Sequence, residues 1–333
     1  MVSLFAALVV AAASGTHPFN VRDMQALDRV EDPVVSPDGK TVVFTVLSTD
    51  VEANKRSSSL WRVGADGSGA RRLTAAPSVK DANPVFAPDG KTVYFLSNRS
   101  QSYQVWKISL EGGEAERVTD EPLDVSNLRL SPDGTKFGYS MDAFPDCADA
   151  ACTKKRLDEK DAKKATGQIF DSLLYRHWDT WSNGTRQHLF VRAVSGGPSV
   201  DVMKGMDADS PSKPFGGAEE FTFTPDSKSI VFSARNVGRE EAWSTNFDLF
   251  LVPADGSAKP VDLTADNPAW DTHPMFSPDG KTLAWLAQKQ PGYESDRFRV
   301  TVRAWPNGAT KTLTEKWEGS PDEIGWSHDG KSL

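Results

Sequence analysis

The chain has 333 residues, enough for one large or two ordinary domains, and a formal net charge of −8. No basic tract is long enough to follow a phosphate backbone, so the sequence predicts no nucleic-acid partner. Ten tryptophans and 17 phenylalanines supply a substantial core, which excludes disorder over most of the length.

The N-terminal segment, residues 1–16, is apolar and then rich in small residues, as is typical of a secretory signal peptide. We therefore predict a periplasmic or secreted protein. The segment is too short to span a bilayer comfortably, and no later segment of the sequence is apolar enough to cross one. No Lys or Arg precedes the apolar stretch. This leaves two alternatives open: a signal whose start lies upstream, and an apolar N-terminus that is disordered or buried.

A short helix is predicted next, over residues 21–30. Asn20 is a good N-cap residue, and Met24 and Leu27 recur at helical spacing. We expect Pro33 to end the helix, because the residue before a proline avoids helical backbone angles.

One short motif then recurs along the whole chain. In Ser36-Pro37-Asp38-Gly39-Lys40, proline presets φ, aspartate can bond nearby backbone, and glycine accepts a positive φ. Strand-like residues flank the copies, so each copy is predicted to be the tip of a β-hairpin. The first residues of the six copies are Ser36, Ala87, Ser131, Thr224, Ser277 and Ser327.

The spacing of these copies predicts a β-propeller. Successive copies are 51, 44, 93, 53 and 50 residues apart, and all steps but one lie near the roughly 40–50 residues of a propeller blade. Apolar residues on both faces of strand 41–47 suit a sheet that is covered on both sides. We predict an all-β fold over residues 17–333: five full cycles of four strands and the start of a sixth, out of seven or eight in the full protein.

The step of 93 residues marks an insertion in the third cycle, residues 143–187, which is expected to be partly helical. Its charged run, residues 154–164, carries both signs and little apolar content, and is predicted to be a solvated helix or loop. Residues 169–181 are dense in aromatics. Long insertions in blade loops often carry function.

Both cysteines of the chain, Cys147 and Cys152, lie in this insertion. In an exported protein a small local disulfide is the favoured interpretation. Two free thiols and a metal site are the alternatives, although no histidine is near either cysteine in the sequence.

The sequence offers no catalytic centre of its own. No serine has the Gly-x-Ser-x-Gly context of a hydrolase nucleophile. Ser327, His328 and Asp329 look like a catalytic triad, but they belong to the sixth turn copy, and adjacent residues cannot form triad geometry. An unfinished blade would leave open sheet edges, so we expect this chain to be the N-terminal part of a longer protein.

Neither a metal ion nor a cofactor is expected. The five histidines show no metal-ligand spacing. The Gly-Gly pairs at 112–113 and 196–197 lie at predicted hairpin turns, so they do not form a phosphate-binding loop.

One acidic pair stands out in the fourth cycle. Glu240 and Glu241 lie close to Trp243, in the loop between the second and third strands. Two carboxylates beside an aromatic ring could hold the α-ammonium group of a peptide by charge-assisted hydrogen bonds. The alternative is an exposed acidic loop without a ligand.

Four segments together resemble the prolyl oligopeptidase family of serine peptidases, in its dipeptidyl peptidase V and acylaminoacyl-peptidase-like branch. The resemblance implies a propeller followed by an α/β-hydrolase domain beyond residue 333, which would carry the Ser, Asp and His of the triad. No catalytic residue is therefore assigned to this chain. A related dipeptidyl peptidase branch grips the substrate N-terminus with a propeller Glu pair, to which Glu240 and Glu241 are similar in kind within a different motif. The four segments are His17 to Met24, Arg29 to Lys40, Tyr175 to Trp181, and Glu241 to Asn246.

This resemblance implies the substrate-gating propeller of a secreted serine exopeptidase that releases dipeptides or acylated residues from short peptides. The full-length mechanism would be acyl transfer through a serine with an oxyanion hole, and the full-length protein could form a homodimer. Two other classes stay open: a non-catalytic periplasmic scaffold like the propeller of the Tol–Pal system, and a stand-alone ligand-binding propeller.

Overall fold

The computed structural model describes residues 17–75 and 78–333 of the chain. The predicted signal segment, residues 1–16, lies outside the described residues. Within the described part, no helix is both long and apolar enough to cross a membrane. Helical structure there is limited to α1 (Val21–Ala26), α2 (Ala150–Asp161) and the short 3-10 helices Ala218–Glu220 and Gly238–Ala242.

Five antiparallel sheets of four strands follow one another along the chain, which confirms the predicted all-β propeller fold. In every sheet the strands pair in chain order, and we number the sheets as blades 1 to 5. Blade 1 consists of β1 (Arg29–Val35), β2 (Thr41–Asp50), β3 (Lys55–Gly64) and β4 (Arg71–Arg72). Blade 2 consists of β5 (Asp81–Phe86), β6 (Thr92–Ser97), β7 (Gln104–Ser109) and β8 (Glu116–Arg117). Blade 3 consists of β9 (Ser126–Leu130), β10 (Lys136–Ala143), β13 (Arg186–Ala193) and β14 (Val200–Asp201), with the separate hairpin β11 (Arg176–His177) and β12 (Thr180–Trp181) between β10 and β13. Blade 4 consists of β15 (Phe221–Phe223), β16 (Ser229–Ala234), β17 (Asp248–Pro253) and β18 (Val261–Asp262). Blade 5 consists of β19 (Asp271–Phe276), β20 (Thr282–Ala287), β21 (Arg299–Ala304) and β22 (Thr310–Thr312).

The core lies between neighbouring blades. Val43 and Leu60 of blade 1 belong to the same buried cluster as Val93 and Phe95 of blade 2, and all four are fully buried. A middle strand therefore buries apolar side chains against a blade on each side. This arrangement accounts for the apolar residues that the sequence places on both faces of its strands.

The recurring turn motif forms the hairpin between the first and second strands of each blade. In blade 1 the Ser36 hydroxyl donates to the Asp38 carboxylate at 2.6 Å, and the Thr41 amide donates back to the Ser36 hydroxyl at 3.0 Å. Gly39 has φ +71°, the left-handed conformation that the turn requires. The sixth copy makes the same bonds, with the Ser327 hydroxyl donating to Asp329 at 2.8 Å. These residues are therefore turn residues, as predicted.

The first strand of four blades carries a bulge residue with a positive φ, a feature that the sequence analysis did not predict. Asn83 uses its bulge to link three blades: its amide donates to Asp32 of blade 1 at 3.0 Å, and its side chain exchanges two bonds with the Leu128 backbone of blade 3. The four bulge residues are Asp32, Asn83, Asn127 and His273.

The predicted N-terminal helix forms, but it is shorter than expected. Asn20 caps α1 in a reciprocal box with Asp23, in which the Asn20 side chain accepts from the Arg22 amide at 2.8 Å. The prediction that the helix extends over residues 21–30 is wrong: it ends at Ala26, because the chain enters β1, whose backbone pairs with β2.

The insertion between β10 and β13 contains the chain's disulfide, which joins Cys147 to Cys152. The disulfide closes a loop over residues 147–152. Within this loop, Asp149 caps α2 by accepting a hydrogen bond from the Cys152 amide at 2.8 Å. The predicted solvated helix or loop is thus helical over most of its length. The remainder of the insertion returns through the hairpin of β11 and β12.

Candidate functional site

Two adjoining cavities lie at one end of the propeller. Because strands alternate in direction within a blade, the recurring turns lie at the opposite end from the loops that join second to third strands. These second-to-third loops of blades 3, 4 and 5 line the cavities, together with residues 210–217, which lead into blade 4.

We call the two cavities the blade 3 chamber, of about 470 Å³, and the blade 5 chamber, of about 540 Å³. Either volume lies in the range of small-ligand sites. Four residues belong to the walls of both chambers: Leu174, His177, Arg235 and Glu241.

An ionic cluster centred on Arg186 forms the floor of the blade 3 chamber. Arg186 is the first residue of β13, and its guanidinium binds Glu241 of blade 4 through two bonds of 2.9 and 2.7 Å. It also donates to Asp207 at 2.7 Å and to Asp209 at 3.0 Å. Three carboxylates therefore converge on one cation from two segments, residues 207–209 and the second-to-third loop of blade 4.

The charge on Arg186 is strongly stabilised. Burial opposes the charged form, but the hydrogen bonds that Arg186 donates to Glu241 and the negative charges of Asp209 and Glu241 outweigh it and raise the pKa of Arg186 above its ordinary value. Arg186 therefore keeps its positive charge across the physiological pH range.

Arg235 separates the two chambers. It donates to the Ser244 carbonyl at 2.9 Å, lies 3.7 Å from Glu241, and stacks 5.0 Å from the centre of the Phe247 ring. Glu241 is therefore held between Arg186 and Arg235.

Lys213 reaches the blade 3 chamber from residues 210–217 and pairs with Asp142 at 2.8 Å and Asp209 at 3.6 Å. Glu220 holds residues 210–217 in place, because its buried carboxylate accepts hydrogen bonds from the Ser212 amide at 2.6 Å and from the Ser212 hydroxyl at 2.7 Å. Burial raises the pKa of Glu220 to about 7, although the bonds from Ser212 act in the opposite direction.

The rim of the blade 5 chamber is aromatic and acidic. Trp243 and Tyr293 line it and are largely exposed. Glu294 lies next to Tyr293, and its carboxylate has no hydrogen bond or ion pair within the part of the chain that the structure describes. Four carboxylates and three permanent cations line the two chambers, so the site carries an excess of negative charge. They are Asp142, Asp209, Glu241 and Glu294, with Arg186, Lys213 and Arg235.

The predicted substrate-binding residues separate in the structure. Glu241 and Trp243 line the blade 5 chamber, whereas Glu240 is exposed and lines neither chamber. Glu241 is already paired with Arg186, so its charge is largely offset. A role of the three in substrate binding stays a prediction. Cys147 and Cys152 line neither chamber.

Sequence reasoning missed most of this site. Arg186 and Asp209 sit in segments without a recognisable motif, and Glu294 is one acid in an ordinary polar loop. Two sequence signals point to part of the site: the Glu240–Trp243 segment, which contributes Glu241 and Trp243, and the aromatic segment 169–181, which contributes His177 and Trp181.

Comparison with known proteins identifies relatives. The family model of the TolB beta propeller domain (PD40) matches residues 24–213. Dipeptidyl-peptidase 5 of Porphyromonas gingivalis is 32% identical over 320 residues, covering 92% of this chain and 44% of that protein. The chain spans about half the length of the curated relatives it matches.

Solved structures show the same fold. An acylaminoacyl peptidase in complex with Z-Gly-Gly-Phe-chloromethyl ketone superposes with a TM-score of 0.63 at 13% identity, over 88% of this chain and 40% of that one. A TolB protein of Agrobacterium tumefaciens gives a TM-score of 0.50 at 17% identity, over 86% and 80%. The resemblance to a prolyl oligopeptidase-family propeller, predicted from the four sequence segments, is confirmed by the peptidase relatives.

Proposed function

This chain belongs to the TolB beta propeller domain family, and because its relatives include dipeptidyl-peptidases, we propose that it is the substrate-gating propeller of a serine exopeptidase that acts on short peptides. In this proposal an α/β-hydrolase domain encoded beyond residue 333 supplies the nucleophile and the oxyanion hole. One observation carries the proposal: the paired chambers with their excess of carboxylates, in a chain whose relatives are named dipeptidyl-peptidases.

The chambers would act as a size filter and an anchor. A volume of about 470 Å³ or 540 Å³ admits a peptide of a few residues and excludes a folded protein. The α-ammonium of such a peptide would be held in the blade 5 chamber by Glu294, with Trp243 and Tyr293 offering their ring faces to the cation. Glu241, whose charge Arg186 largely offsets, would hold the wall shared by the two chambers in place.

The first test is the reading frame beyond codon 333. We expect a Gly-x-Ser-x-Gly motif that follows a strand-like segment, with Asp and His further on. The complete enzyme should hydrolyse dipeptidyl anilides and lose this activity when that serine is replaced. A stop codon after one or two further blades would contradict the proposal.

The second test concerns the anchor. In the complete enzyme, Glu294→Gln should raise KM about 10- to 100-fold for substrates with a free N-terminus, the size expected for the loss of a charge-assisted bond. The matched control is Glu240→Gln, which removes an equally exposed carboxylate outside the chambers. N-acetylated substrates should not respond to either change. Equal effects of the two variants would refute the assignment of Glu294.

A non-catalytic scaffold is the second candidate, favoured by the TolB structure of similar fold. It predicts that the complete protein has no hydrolytic activity and that the chambers bind no free peptide. The reading-frame test separates the two functions.

We further propose that the protein is periplasmic or secreted. The disulfide between Cys147 and Cys152 supports this location, because such bonds persist in oxidising compartments. Fusing residues 1–16 to a reporter that is active only after export would test the proposal, and retention of the reporter in the cytoplasm would contradict it.

A further inference from the structure

The insertion in blade 3 presents an aromatic cluster that the fold itself does not bury. Phe170, Tyr175 and Trp181 pack on one another with ring centres 5.7 to 6.0 Å apart. Their exposed fractions are 37%, 44% and 53%, so each ring keeps a large surface open to solvent. Exposed apolar surface of this kind costs free energy in water and commonly marks a binding site.

The cluster continues into the blade 3 chamber. Trp181 and Leu174 line the chamber from the insertion, whereas Arg186 and Asp209 line it from the blade. The insertion therefore adds two apolar side chains, among polar ones, to a chamber that also contains an ionic cluster. A ligand that matches both must carry an apolar group close to polar and charged groups.

The indole of Trp181 is held in position by its own hairpin. Trp181 pairs with Arg176 across β11 and β12, and the Arg176 guanidinium lies 5.5 Å from the centre of the Trp181 ring. These contacts fix the ring while 53% of the residue stays exposed, so a ligand can meet it at a low entropic cost.

A short peptide with a large apolar side chain is the ligand that fits. Its backbone and α-ammonium match the ionic cluster and the excess of carboxylates, and its side chain matches Trp181 and Leu174. Trp181 lines a concave chamber rather than a flat surface, which favours a small ligand over a second copy of the chain.

We infer that Trp181, together with Leu174, determines specificity by favouring peptides with a large apolar side chain. The inference rests on the proposed function, because it names the substrate class of the same chambers. It adds a residue from the insertion to a site otherwise built from blades 3, 4 and 5.

The test compares the binding of three tripeptides, Gly-Phe-Gly, Gly-Leu-Gly and Gly-Gly-Gly, to the 333-residue chain by calorimetry. We expect the two apolar peptides to bind about 10-fold more tightly than Gly-Gly-Gly, as partial burial of one side chain provides. Trp181→Ala should remove this preference and leave the affinity for Gly-Gly-Gly within about twofold. Trp181→Phe should keep most of the preference.

Trp178→Ala is the matched control. Trp178 lies on the same hairpin, is 72% exposed, packs edge-on against Phe215 and lines neither chamber. Its loss should leave all three affinities unchanged. Circular dichroism on each variant checks that the fold is retained.

The outcomes separate the two hypotheses. If no tripeptide binds the unaltered chain, the proposed function fails and the specificity inference falls with it. If all three bind equally, or if Trp178→Ala reduces the preference as much as Trp181→Ala does, the inference fails and the proposed function stands.

Discussion

Two blades each bury an aspartate at the same position of the first strand, one beside a cation and the other without one, and this difference predicts how the stability of the fold depends on pH. Asp81 and Asp271 are equivalent: each begins the first strand of its blade and pairs with the last residue of the second strand. Asp81 is neutralised by Arg99 through two bonds of 2.7 Å. Asp271 is equally buried, yet among the described residues it has no cation, only donors from Trp285 at 2.6 Å and Asn267 at 2.9 Å.

Burial therefore raises the pKa of Asp271 from 3.8 to about 8, although the bonds from Trp285 and Asn267 partly oppose the shift. A raised pKa means that the folded state holds the proton more tightly than the unfolded state does. This contribution to stability is complete below pH 4 and is lost as the pH rises to 8. At about 1.4 kcal/mol per pH unit, the free energy of unfolding should fall by about 3 to 4 kcal/mol between pH 5 and pH 8.

Urea denaturation at pH 5, 6, 7 and 8 measures this slope. Asp271→Asn removes the titrating group, so we expect a clearly flatter dependence. Some slope should remain, because burial also raises the pKa of Glu220 to about 7 and that of Asp248 to about 6. The control, Asp81→Asn, leaves Arg99 without its carboxylate and should cost about 3 kcal/mol at each of these pH values while the slope is kept. An Asp271→Asn variant with the slope of the unaltered chain would refute the reasoning.

Two further variants test contacts between blades. Arg186→Gln should lower the free energy of unfolding by about 3 kcal/mol in urea titrations, because it leaves buried carboxylates without their cation. The control, Lys154→Gln, removes an exposed ion pair of α2 and should cost at most about 0.5 kcal/mol. Similar losses for the two variants would contradict this prediction. Gly134→Ala and Gly39→Ala both place a side chain on a left-handed backbone, but only at Gly134 would the new Cβ meet a neighbouring blade, at 2.6 Å from Pro88. In the same measurement, Gly134→Ala should therefore lower the free energy of unfolding by about 1 to 3 kcal/mol more than Gly39→Ala does. Equal losses would contradict a contact between the blades at Gly134.

The features that the sequence predicts correctly are local ones. The turn motif specifies its own bonds, since Ser36 and Asp38 are two residues apart, and Asn20 caps a helix through residues within one turn of it. Periodic repetition then extends a local feature to the whole fold. The end of α1 was predicted wrongly because pairing with a distant strand, rather than the residues before Pro33, decides where the helix stops.

The site could not be predicted in the same way. Arg186 meets Asp209 across 23 residues and Glu241 across 55, and neither separation follows a period of the chain. Only the packing of blade 3 against blade 4 brings these residues together. The sequence did single out Glu241, but for an ammonium ligand, because nothing in its neighbourhood shows that Arg186 is its partner.

The two ends of the propeller are therefore under different physical constraints. At the turn end, every blade repeats one tight hairpin, since a change there disturbs strand pairing. At the chamber end, blades 1 and 2 close with short loops, 51–54 and 98–103, while residues 144–185 of blade 3 form a long excursion. Residues on such loops can change without loss of the core.

This asymmetry couples ligand binding to the association of the blades. The chambers take their walls from blades 3, 4 and 5, which share no strand pairing with one another. A peptide that spans both chambers would contact Glu294 of blade 5 and Trp181 of the blade 3 insertion at the same time. It would bind only when the three blades are packed, and it would therefore stabilise their packing in proportion to its affinity and concentration. The Arg186 cluster already provides such a bridge between blades 3 and 4, whereas no charged group plays that part between Glu294 and blade 4 among the described residues. The blade 5 loop is joined to blade 4 instead by a neutral bond, from the Gly292 amide to the Thr245 hydroxyl at 2.9 Å, so a charged ligand would add the ionic bridge that this side lacks.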